Sequence, residues 1–320
     1  YTAFPVRAAF KRKKNFIFRL ANVIGVEPEQ KQLITSVGEV PYDYLILACG
    51  GTTNYFGNEQ VAKHSLPMKT LYESMNLRNV LLQNIEKALV SDKPETREAL
   101  LTVAIVGGGP SGVEIAGALA EMKRYVLPKD YPDMEMDQFK IHLIDASPRL
   151  LQAMSEKSSR TAAEGLTSLG VEIHHNVMVT DYDGRVLTLG DGTKMNTRTV
   201  IWVSGIVANT IEGIQADSLG RGKRILVDGY NEVQGVPDVF ALGDQCLMTA
   251  DPSYPQGHPQ MAQVAIQQAA LLAKNLKARL TGGKQQTFRY KDLGSMATIG
   301  RNRAVAEIGQ AKWGGFAAWL

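Results

Sequence analysis

The amino-acid sequence predicts an α/β fold, and three observations carry this prediction. Between residues 101 and 203, runs of strand-forming apolar residues alternate with helical patterns, which is the order of a parallel sheet with right-handed crossovers. A glycine-rich turn at residues 107–112 joins the first of these strands to its helix. The 320 residues suffice for about two domains at roughly 150 residues each.

Composition excludes several classes of protein. The chain has 35 Lys and Arg against 32 Asp and Glu, a net charge of +3, which gives no support for nucleic-acid binding. Cys49 and Cys246 form no C-x-x-C pair, so neither a disulfide scaffold nor a thioredoxin-like redox pair is expected. We also expect neither a membrane-spanning helix nor a signal peptide, because no apolar run approaches the required length.

The first part of the chain predicts short strands followed by one helix. Strands are expected at Asn15–Leu20, Gln32–Thr35 and Tyr44–Ala48, the last of them fully buried because its apolar residues do not alternate with polar ones. Apolar residues at helical spacing predict a helix over 69–90. The polar stretch Ser91–Glu95 then predicts a linker or domain crossing.

The second part has the pattern of a mononucleotide-binding half-fold. Strands are predicted at Leu101–Val106, Lys140–Asp145 and Val171–His174, with helices over 111–125 and 156–169 between them. The order strand, helix, strand, helix, strand is the doubly wound pattern of a Rossmann-like domain.

The remaining residues predict further strands and one long helix. Asp183-Gly184 is a two-residue turn signal that predicts a hairpin of strands at 177–182 and 185–189. The run Thr199–Val203 predicts a strand that returns to the parallel sheet. Later elements are expected at 224–227, 239–242 and, for the helix, 259–280.

The glycine turn has the pattern G-x-G-x-x-G at Gly107, Gly109 and Gly112, placed between a buried strand and a helix. In that context the first glycine permits the tight turn, the second lets a pyrophosphate approach the backbone, and the third lets the helix pack against the strand. Phosphates then lie at a helix N-terminus, whose free N–H groups bind anions. We predict a dinucleotide site here.

Two acidic residues are candidates for the same site. Asp145 follows the second strand and could accept hydrogen bonds from the adenosine ribose while repelling a 2′-phosphate, which favours NAD over NADP. Its alternative role is a surface carboxylate. Glu114 lies in the first helical turn, near where a nicotinamide would extend, although an acid there also interacts favourably with the helix dipole.

Three strand ends that open into glycine carry a resemblance to a known family. They are Ala48-Cys49-Gly50, Val203-Ser204-Gly205 and the strand Val239–Leu242 followed by Gly243-Asp244. In this pattern the sequence resembles the flavoproteins with two dinucleotide-binding domains, the pyridine nucleotide-disulfide oxidoreductases. The resemblance implies that Ala48, Gly50, Gly243 and Asp244 contribute to an FAD site, and Ser204 and Gly205 to the NAD(H) site.

Two further segments narrow the resemblance to the type II NADH dehydrogenases, the single-subunit NADH:quinone oxidoreductases. They are Tyr42–Gly57, which is similar to the family's segment entering the flavin site, and Ala262–Gln268, which matches its A-Q-x-A-x-Q-Q pattern. Membership of this family would imply that NADH transfers hydride to FAD and that two electrons then pass to a membrane quinone, without proton pumping. Gln263 and Gln267 share one helix face and would line the quinone site, unless they form an ordinary polar face.

The resemblance also implies a domain organisation. We expect the first part of an FAD domain at 1–93, an NAD(H) domain at 94–212, the second part of the FAD domain at 213–283, and the start of a C-terminal interface or membrane-binding region at 284–320. Relatives carry a preceding G-x-G-x-x-G segment and later membrane-binding helices. We therefore expect a truncated FAD domain beside a complete NAD domain, and peripheral association with the cytoplasmic side of the inner membrane.

Alternatives to this function remain open at the level of sequence. The chain could bind NADH without turnover, or it could be a related flavoprotein reductase with another acceptor such as ferredoxin. A homodimer is possible. No metal is predicted, because the five histidines show no metal-ligand spacing along the chain, and His142 alternates with strand core positions as a structural residue would.

Overall fold

A computed structural model describes residues 6–320, and these form two compact units. The first unit comprises the described residues up to Thr52 together with Ile206–Lys291, and the second comprises Thr53–Gly205 together with Asp292–Leu320. These bounds differ from the predicted domain boundaries after residues 93, 212 and 283. The pairing and packing of residues 53–93 and 292–320 explain the difference.

The second unit is built on a five-stranded sheet whose strands are all parallel. Across the sheet the order is Leu66–Pro67, Thr199–Trp202, Thr102–Val106, Lys140–Ile144, Val171–His174. The predicted parallel sheet and the return of the strand near residue 199 are therefore confirmed. Because the crossover direction changes beside Thr102–Val106, the crevice beyond its carboxyl end is the place where open α/β sheets bind ligands.

Helices cover one face of this sheet, and each begins where the sequence supplies a start signal. Thr70 and Glu73 form a capping box for the helix Leu71–Leu89, and the Ser155 hydroxyl accepts from the backbone of Glu156–Ser168. The nucleotide-turn helix spans Pro110–Tyr125, with proline in the first turn. The predicted linker Ser91–Glu95 is irregular over residues 91–93, and its last two residues begin the helix Pro94–Leu101.

Residues 53–93 belong to the second unit for two reasons. Leu66–Pro67 pairs in parallel with Thr199–Trp202 and so extends the sheet. Leu77 and Ile85 of the helix Leu71–Leu89 are buried in the same core cluster as Val103 of the central strand. Burial of these side chains stabilises this arrangement by about 1.5–3 kcal/mol each. The compact units therefore divide after Thr52 and not after residue 93, and the assignment of domains to cofactors stays a prediction.

An antiparallel meander covers the other face of the sheet. Its strands are Val179–Tyr182, Val186–Leu189 and Lys194–Asn196. The first two confirm the predicted hairpin at Asp183-Gly184, whereas the third was not predicted. Tyr182 and Leu187 pack there against Val200 and Trp202 of the parallel sheet.

The last residues form a second antiparallel sheet within the same unit. Its strands are Ser295–Gly300, Arg303–Ile308 and Ala311–Gly315, followed by a short helix at Phe316–Trp319. A side chain at Gly117 of the helix Pro110–Tyr125 would collide with the carbonyl oxygen of Ile299, so glycine permits helix and sheet to touch. This packing places the region from Asp292 onward in the second unit, nine residues after the boundary predicted at 283.

The first unit combines an antiparallel sheet with two parallel strand pairs and one long helix. The sheet consists of Val23–Glu27, Gln32–Thr35 and Gly38–Pro41. The parallel pairs are Leu45–Leu47 with Val239–Ala241, and Ile225–Val227 with Cys246–Met248. The helix is Ala262–Leu280, close to the predicted range 259–280.

The predicted strand at Asn15–Leu20 is wrong. Its alternation of apolar and polar residues suggested a half-buried strand, but Ile17 and Leu20 remain 76% and 85% exposed, and the first strand begins at Val23. Without a surface to pack against, the alternation does not produce a paired strand.

The other elements are short. The described helices are Val6–Ala9, Glu59–His64, Leu127–Asp130, Met136–Gln138, Ala216–Ser218, Arg221–Lys223 and Gly243–Gln245, and the described strands are Gly51–Thr53 and Ile206–Ala208. Among residues 6–320, no helix combines the length and apolar character that crossing a bilayer requires.

Candidate functional site

In the glycine turn after Thr102–Val106, two motif glycines avoid a steric clash and the third leaves open space. Gly107 has φ +119°, and a Cβ there would lie 2.7 Å from the carbonyl oxygen of Val203. A Cβ at Gly112 would collide with the carbonyl oxygen of Gly107. A Cβ at Gly109 would meet nothing within 4 Å, so this backbone is open to a ligand. The turn therefore leaves space at the one position where a pyrophosphate must approach.

Asp145 lies directly beside this turn, at the carboxyl end of Lys140–Ile144. Its carboxylate accepts a hydrogen bond from the backbone N–H of Gly108 and another, of 2.6 Å, from that of Ser147. These two bonds link the glycine turn to the loop after the second strand. Since an ionised carboxylate has about four acceptor positions, two remain for ribose hydroxyl groups.

A cavity of about 310 Å³ opens between the turn and this loop. Its lining includes Gly108, Gly109, Asp145 and Gln152. Arg149 shapes the loop, because its guanidinium donates to the carbonyl oxygens of Met154 and Gln152, each at 2.8 Å. The cavity thus brings together Gly109, predicted for the pyrophosphate, and Asp145, predicted for the ribose.

Ser204 and Gly205 lie at the end of Thr199–Trp202, beside the glycine turn. The Cα atom of Ser204 would be 2.8 Å from a Cβ at Gly107, and Gly205 accepts a hydrogen bond from Asn54 N–H at 3.0 Å. A mainly apolar cavity of about 510 Å³ lies on the meander side of these strand ends, with Trp202 and Ser204 in its lining. Ser204 therefore borders open space at the switch point of the sheet, and Gly205 is the next residue along the chain.

Glu114 is exposed in the first turns of Pro110–Tyr125. Its carboxylate accepts a hydrogen bond of 3.3 Å from the hydroxyl of Thr298 in the C-terminal sheet. This contact gives Glu114 a packing role that the sequence did not suggest. Its role toward the nicotinamide stays a prediction.

The strand ends predicted for FAD lie together in the first unit. Leu45–Leu47 and Val239–Ala241 pair in parallel, so Ala48-Cys49-Gly50 and Gly243-Asp244 leave the same edge. Gly50 has φ +62°, and a Cβ there would meet nothing within 4 Å. Gly243 has φ +70°, which also favours glycine. The open backbone beside a half-buried carboxylate fits the phosphate and ribityl part of FAD.

Three residues that were not among the predicted site residues hold this edge in place. The buried Gln245 accepts a hydrogen bond from Cys49 N–H at 3.0 Å and donates to the carbonyl oxygen of Asn209 at 2.7 Å. Asn209 donates in turn to the carbonyl oxygen of Cys49 at 2.7 Å. The side chain of Gln268 accepts from Gly243 N–H at 2.8 Å. The sequence offered a signal for two of them, because Gln245 directly follows Asp244 and Gln268 is the last residue of the A-Q-x-A-x-Q-Q pattern.

The two glutamines predicted for quinone are half-buried on the helix Ala262–Leu280. The amide of Gln267 forms two hydrogen bonds with the backbone of Lys291, donating at 2.9 Å and accepting at 3.0 Å. Gln263 lies one turn earlier on the same helix. The structure thus gives Gln267 a backbone-holding role, and the quinone role of both residues stays a prediction.

The cysteines take different positions. Cys49 is exposed, whereas Cys246 is buried and its burial raises the pKa of the thiol to about 11. A thiol with that pKa stays protonated at neutral pH, and the thiolate is the reactive form. Cys246 is therefore suited to packing rather than to redox chemistry.

The structure also brings together a group that spacing along the chain did not reveal. His142, Glu172 and His174 offer one donor atom each, all within 4.8 Å of one another. They come from two neighbouring strands, so only the pairing register of the sheet unites them.

Comparison with known proteins places this geometry in a family. The family model for pyridine nucleotide-disulphide oxidoreductases matches residues 3–269. The type II NADH:quinone oxidoreductase Ndh of Mycobacterium tuberculosis is 35% identical over 331 residues, covering 99% of this chain and 70% of that protein. The chain belongs to the type II NADH:quinone oxidoreductases of this family. NdhA from the same organism is 31% identical and covers 98% of this chain and 69% of its own length.

Solved structures show the same fold as this type II NADH:quinone oxidoreductase family member. NDH2 from Plasmodium falciparum in complex with NADH matches with a TM-score of 0.87 at 21% identity, covering 97% of this chain and 81% of that one. A ferredoxin reductase from Rhodopseudomonas palustris matches with a TM-score of 0.72 at 19% identity, covering 96% and 68%. The predicted α/β dinucleotide-binding flavoprotein fold is confirmed.

Proposed function

We propose that the chain oxidises NADH with bound FAD and passes two electrons to a membrane quinone. The observation that carries this proposal is the glycine turn, where Gly109 leaves the backbone open beside the carboxylate of Asp145. Family membership supplies the reaction class, because the relatives from Mycobacterium tuberculosis are named type II NADH:quinone oxidoreductases.

The second unit binds NADH. The turn from Gly107 to Gly112 presents N–H groups at the N-terminus of Pro110–Tyr125, where the helix dipole favours the pyrophosphate. Asp145 accepts from the adenosine ribose and disfavours a 2′-phosphate through charge repulsion. Ser204 and Gly205 border the nicotinamide half, and Glu114 orients the nicotinamide or assists proton movement.

The first unit holds FAD. Asp244 and Gly243 bind the ribityl and pyrophosphate side, while Ala48 and Gly50 supply open backbone at the neighbouring strand end. When bound, FAD supplies the isoalloxazine that accepts hydride and releases electrons one or two at a time. Gln245 and Gln268 keep both strand ends in position through their backbone hydrogen bonds.

Quinone binds against the helix Ala262–Leu280, where Gln263 and Gln267 offer amide groups to its carbonyl oxygens. The protein associates peripherally with the cytoplasmic side of the inner membrane, and it assembles as a homodimer. Vesicle co-sedimentation tests the first of these statements and analytical ultracentrifugation the second.

The function is tested with purified chain by its flavin absorbance and by NADH oxidation with a water-soluble quinone. We expect a yellow protein that reduces quinone, and an Asp244→Ala variant with lowered flavin occupancy. Asp181→Ala is the matched control, because that carboxylate is exposed on the meander of the other unit.

Three outcomes contradict the proposal. A protein that stays colourless even after FAD is added, yet binds NADH, would indicate a binding module without turnover. NADH oxidation with ferredoxin and not with quinone would change the acceptor. Unchanged flavin occupancy in Asp244→Ala would remove that residue from the FAD site.

A further inference from the structure

Three side chains of the second unit converge on one point outside the nucleotide site. His142 lies on the strand Lys140–Ile144 and pairs in register with Glu172 on the edge strand Val171–His174. His174 lies two residues after Glu172, so both point to the same face of the sheet. This face is the one covered by the meander, because Ile144, two residues after His142, packs in the meander core cluster.

The donor atoms are already spaced as ligands of one metal ion. Nδ1 of His142 lies 3.1 Å from Nε2 of His174 and 3.4 Å from Oε2 of Glu172. Tetrahedral zinc with bonds of about 2.0–2.2 Å to nitrogen and oxygen separates its ligands by about 3.3–3.5 Å. One donor atom from each of the three residues lies within 4.8 Å of the others. The spacing therefore requires only small side-chain adjustments.

A metal ion can bind all three donor atoms of this cluster, whereas a shared proton cannot. Nδ1 of His142 faces both a second imidazole nitrogen and a carboxylate oxygen, and a single N–H group there can donate well to only one of them. A divalent ion accepts electron pairs from all three donors at once. Two imidazoles and one carboxylate are also a donor set that suits zinc and related first-row transition metals.

The surroundings provide both support and access. The side chain of His142 is 10% exposed and is held by an interior strand of the sheet, whereas that of Glu172 is 60% exposed. An ion can thus enter from the solvent side at Glu172 and keep a water molecule as its fourth ligand, as in open zinc sites.

We propose that His142, Glu172 and His174 form a binding site for a divalent transition-metal ion, with zinc as the probe. The ion ties the edge strand Val171–His174 to its neighbour. Asp145 N–H donates to the carbonyl oxygen of His174 at 2.9 Å, so the pinned strand also carries the backbone of the ribose-binding residue. The site is independent of the flavin and of the quinone.

The test is calorimetric titration of the metal-free full chain with Zn²⁺, together with thermal unfolding with and without Zn²⁺. We expect one ion per chain and a rise in Tm of the wild type. His174→Gln and Glu172→Gln are expected to weaken binding by roughly tenfold or more and to remove the rise in Tm. Glu172→Gln changes a largely exposed side chain, so it tests the site without disturbing the core.

His64→Gln is the matched control. Its Nδ1 lies 3.1 Å from the carbonyl oxygen of Gln60 in its own helix, and it is not one of the three clustered residues, so Zn²⁺ affinity is expected to stay at the wild-type value. The proposal is overturned if the wild type shows no stoichiometric Zn²⁺ binding. It is also overturned if His174→Gln and Glu172→Gln bind Zn²⁺ as tightly as His64→Gln does.

Discussion

The carboxylate of Asp145 accepts a hydrogen bond from the backbone N–H of Gly108, although 37 residues separate them along the chain. The same carboxylate accepts from Ser147 N–H, so one side chain fixes the glycine turn and the loop after the second strand. A residue expected to contact the ribose thus also orders the backbone that contacts the phosphates.

Replacing Asp145 is expected to weaken NADH binding in two ways. Asp145→Ala removes the ribose acceptor and leaves Gly108 N–H without its partner, and hydrogen bonds to a charged group contribute about 1.5–3 kcal/mol each. We expect the KM for NADH to rise by about tenfold or more, since 1.4 kcal/mol corresponds to about tenfold, and the preference over NADPH to fall.

Steady-state kinetics with both nucleotides measures this change. The control is Asp133→Ala, because Asp133 is an exposed carboxylate in the preceding loop. An Asp145→Ala enzyme with the KM and the nucleotide preference of Asp133→Ala would contradict the assigned role.

The motif glycines are expected to respond differently to the same substitution. At Gly112 a methyl group collides with the carbonyl oxygen of Gly107, and overpacking of this kind costs about 1–3 kcal/mol. At Gly109 a methyl group has free space and φ is −73°, so the fold tolerates alanine while the pyrophosphate does not.

Thermal unfolding and NADH titration separate these two effects. We expect Gly112→Ala to lower Tm, and Gly109→Ala to keep Tm while weakening NADH binding. Equal Tm values for the two variants, or unweakened NADH binding in Gly109→Ala, would argue against these steric roles.

The side chain of Gln268 is expected to matter for FAD retention, although the sequence predicted only Gln263 and Gln267 of this helix as site residues. Gln268→Ala leaves the N–H of Gly243 without its acceptor, a loss of about 1–3 kcal/mol at the turn that precedes Asp244. We expect flavin occupancy after purification to fall by about tenfold at limiting FAD.

The ratio of flavin to protein absorbance measures that occupancy. Gln83→Ala is the control, since Gln83 is an exposed glutamine on a helix of the other unit. Retention of FAD by Gln268→Ala at the level of Gln83→Ala would show that the turn holds without this amide.

The C-terminal sheet is expected to be stabilised by an ionised Glu307. Burial alone would raise the pKa of Glu307, but hydrogen bonds from the hydroxyls of Ser155 and Ser158 and from Ser155 N–H outweigh it, so the pKa is lowered. A lowered folded-state pKa adds stability that is present above the ordinary value of 4.5 and is lost as pH falls through the folded-state pKa.

Urea unfolding of wild type and Glu307→Gln near pH 7 and again well below pH 4.5 tests this expectation. The variant is expected to be less stable by about 2 kcal/mol at neutral pH, with a smaller gap at acidic pH. Glu164→Gln, an exposed position on the same helix as Ser158, controls for charge. A gap that is equal at both pH values would contradict the assignment.

The sequence predicted the elements whose pattern is local. The run Leu101–Val106 and its glycine turn needed only apolar density and the three glycine positions, and the structure has the strand at Thr102–Val106. The strand expected at Asn15–Leu20 failed because alternation indicates burial only where another surface is present to pack against. The compact units divide before residue 93 because Leu66–Pro67 joins a sheet whose other strands come later in the chain.

The site shows the same limit. Spacing identified Gly107, Gly109, Gly112 and Asp145, and the structure gathers all four around one turn. It did not identify Gln245 or the histidine cluster, because their partners are brought by pairing between distant segments. Which residues become neighbours across two strands depends on the pairing register of the sheet, and a single sequence indicates that register only weakly.

The contact between Gly117 and Ile299 also constrains how the protein is made. The helix that presents the phosphate-binding turn packs against a sheet translated long afterwards, and Ala297 and Val305 complete the core that this helix begins. Until those strands are made, the part of the helix surface around Gly117 has no packing partner. The helix that presents the nucleotide-binding turn thus reaches its full packing only when the residues near 300 are in place.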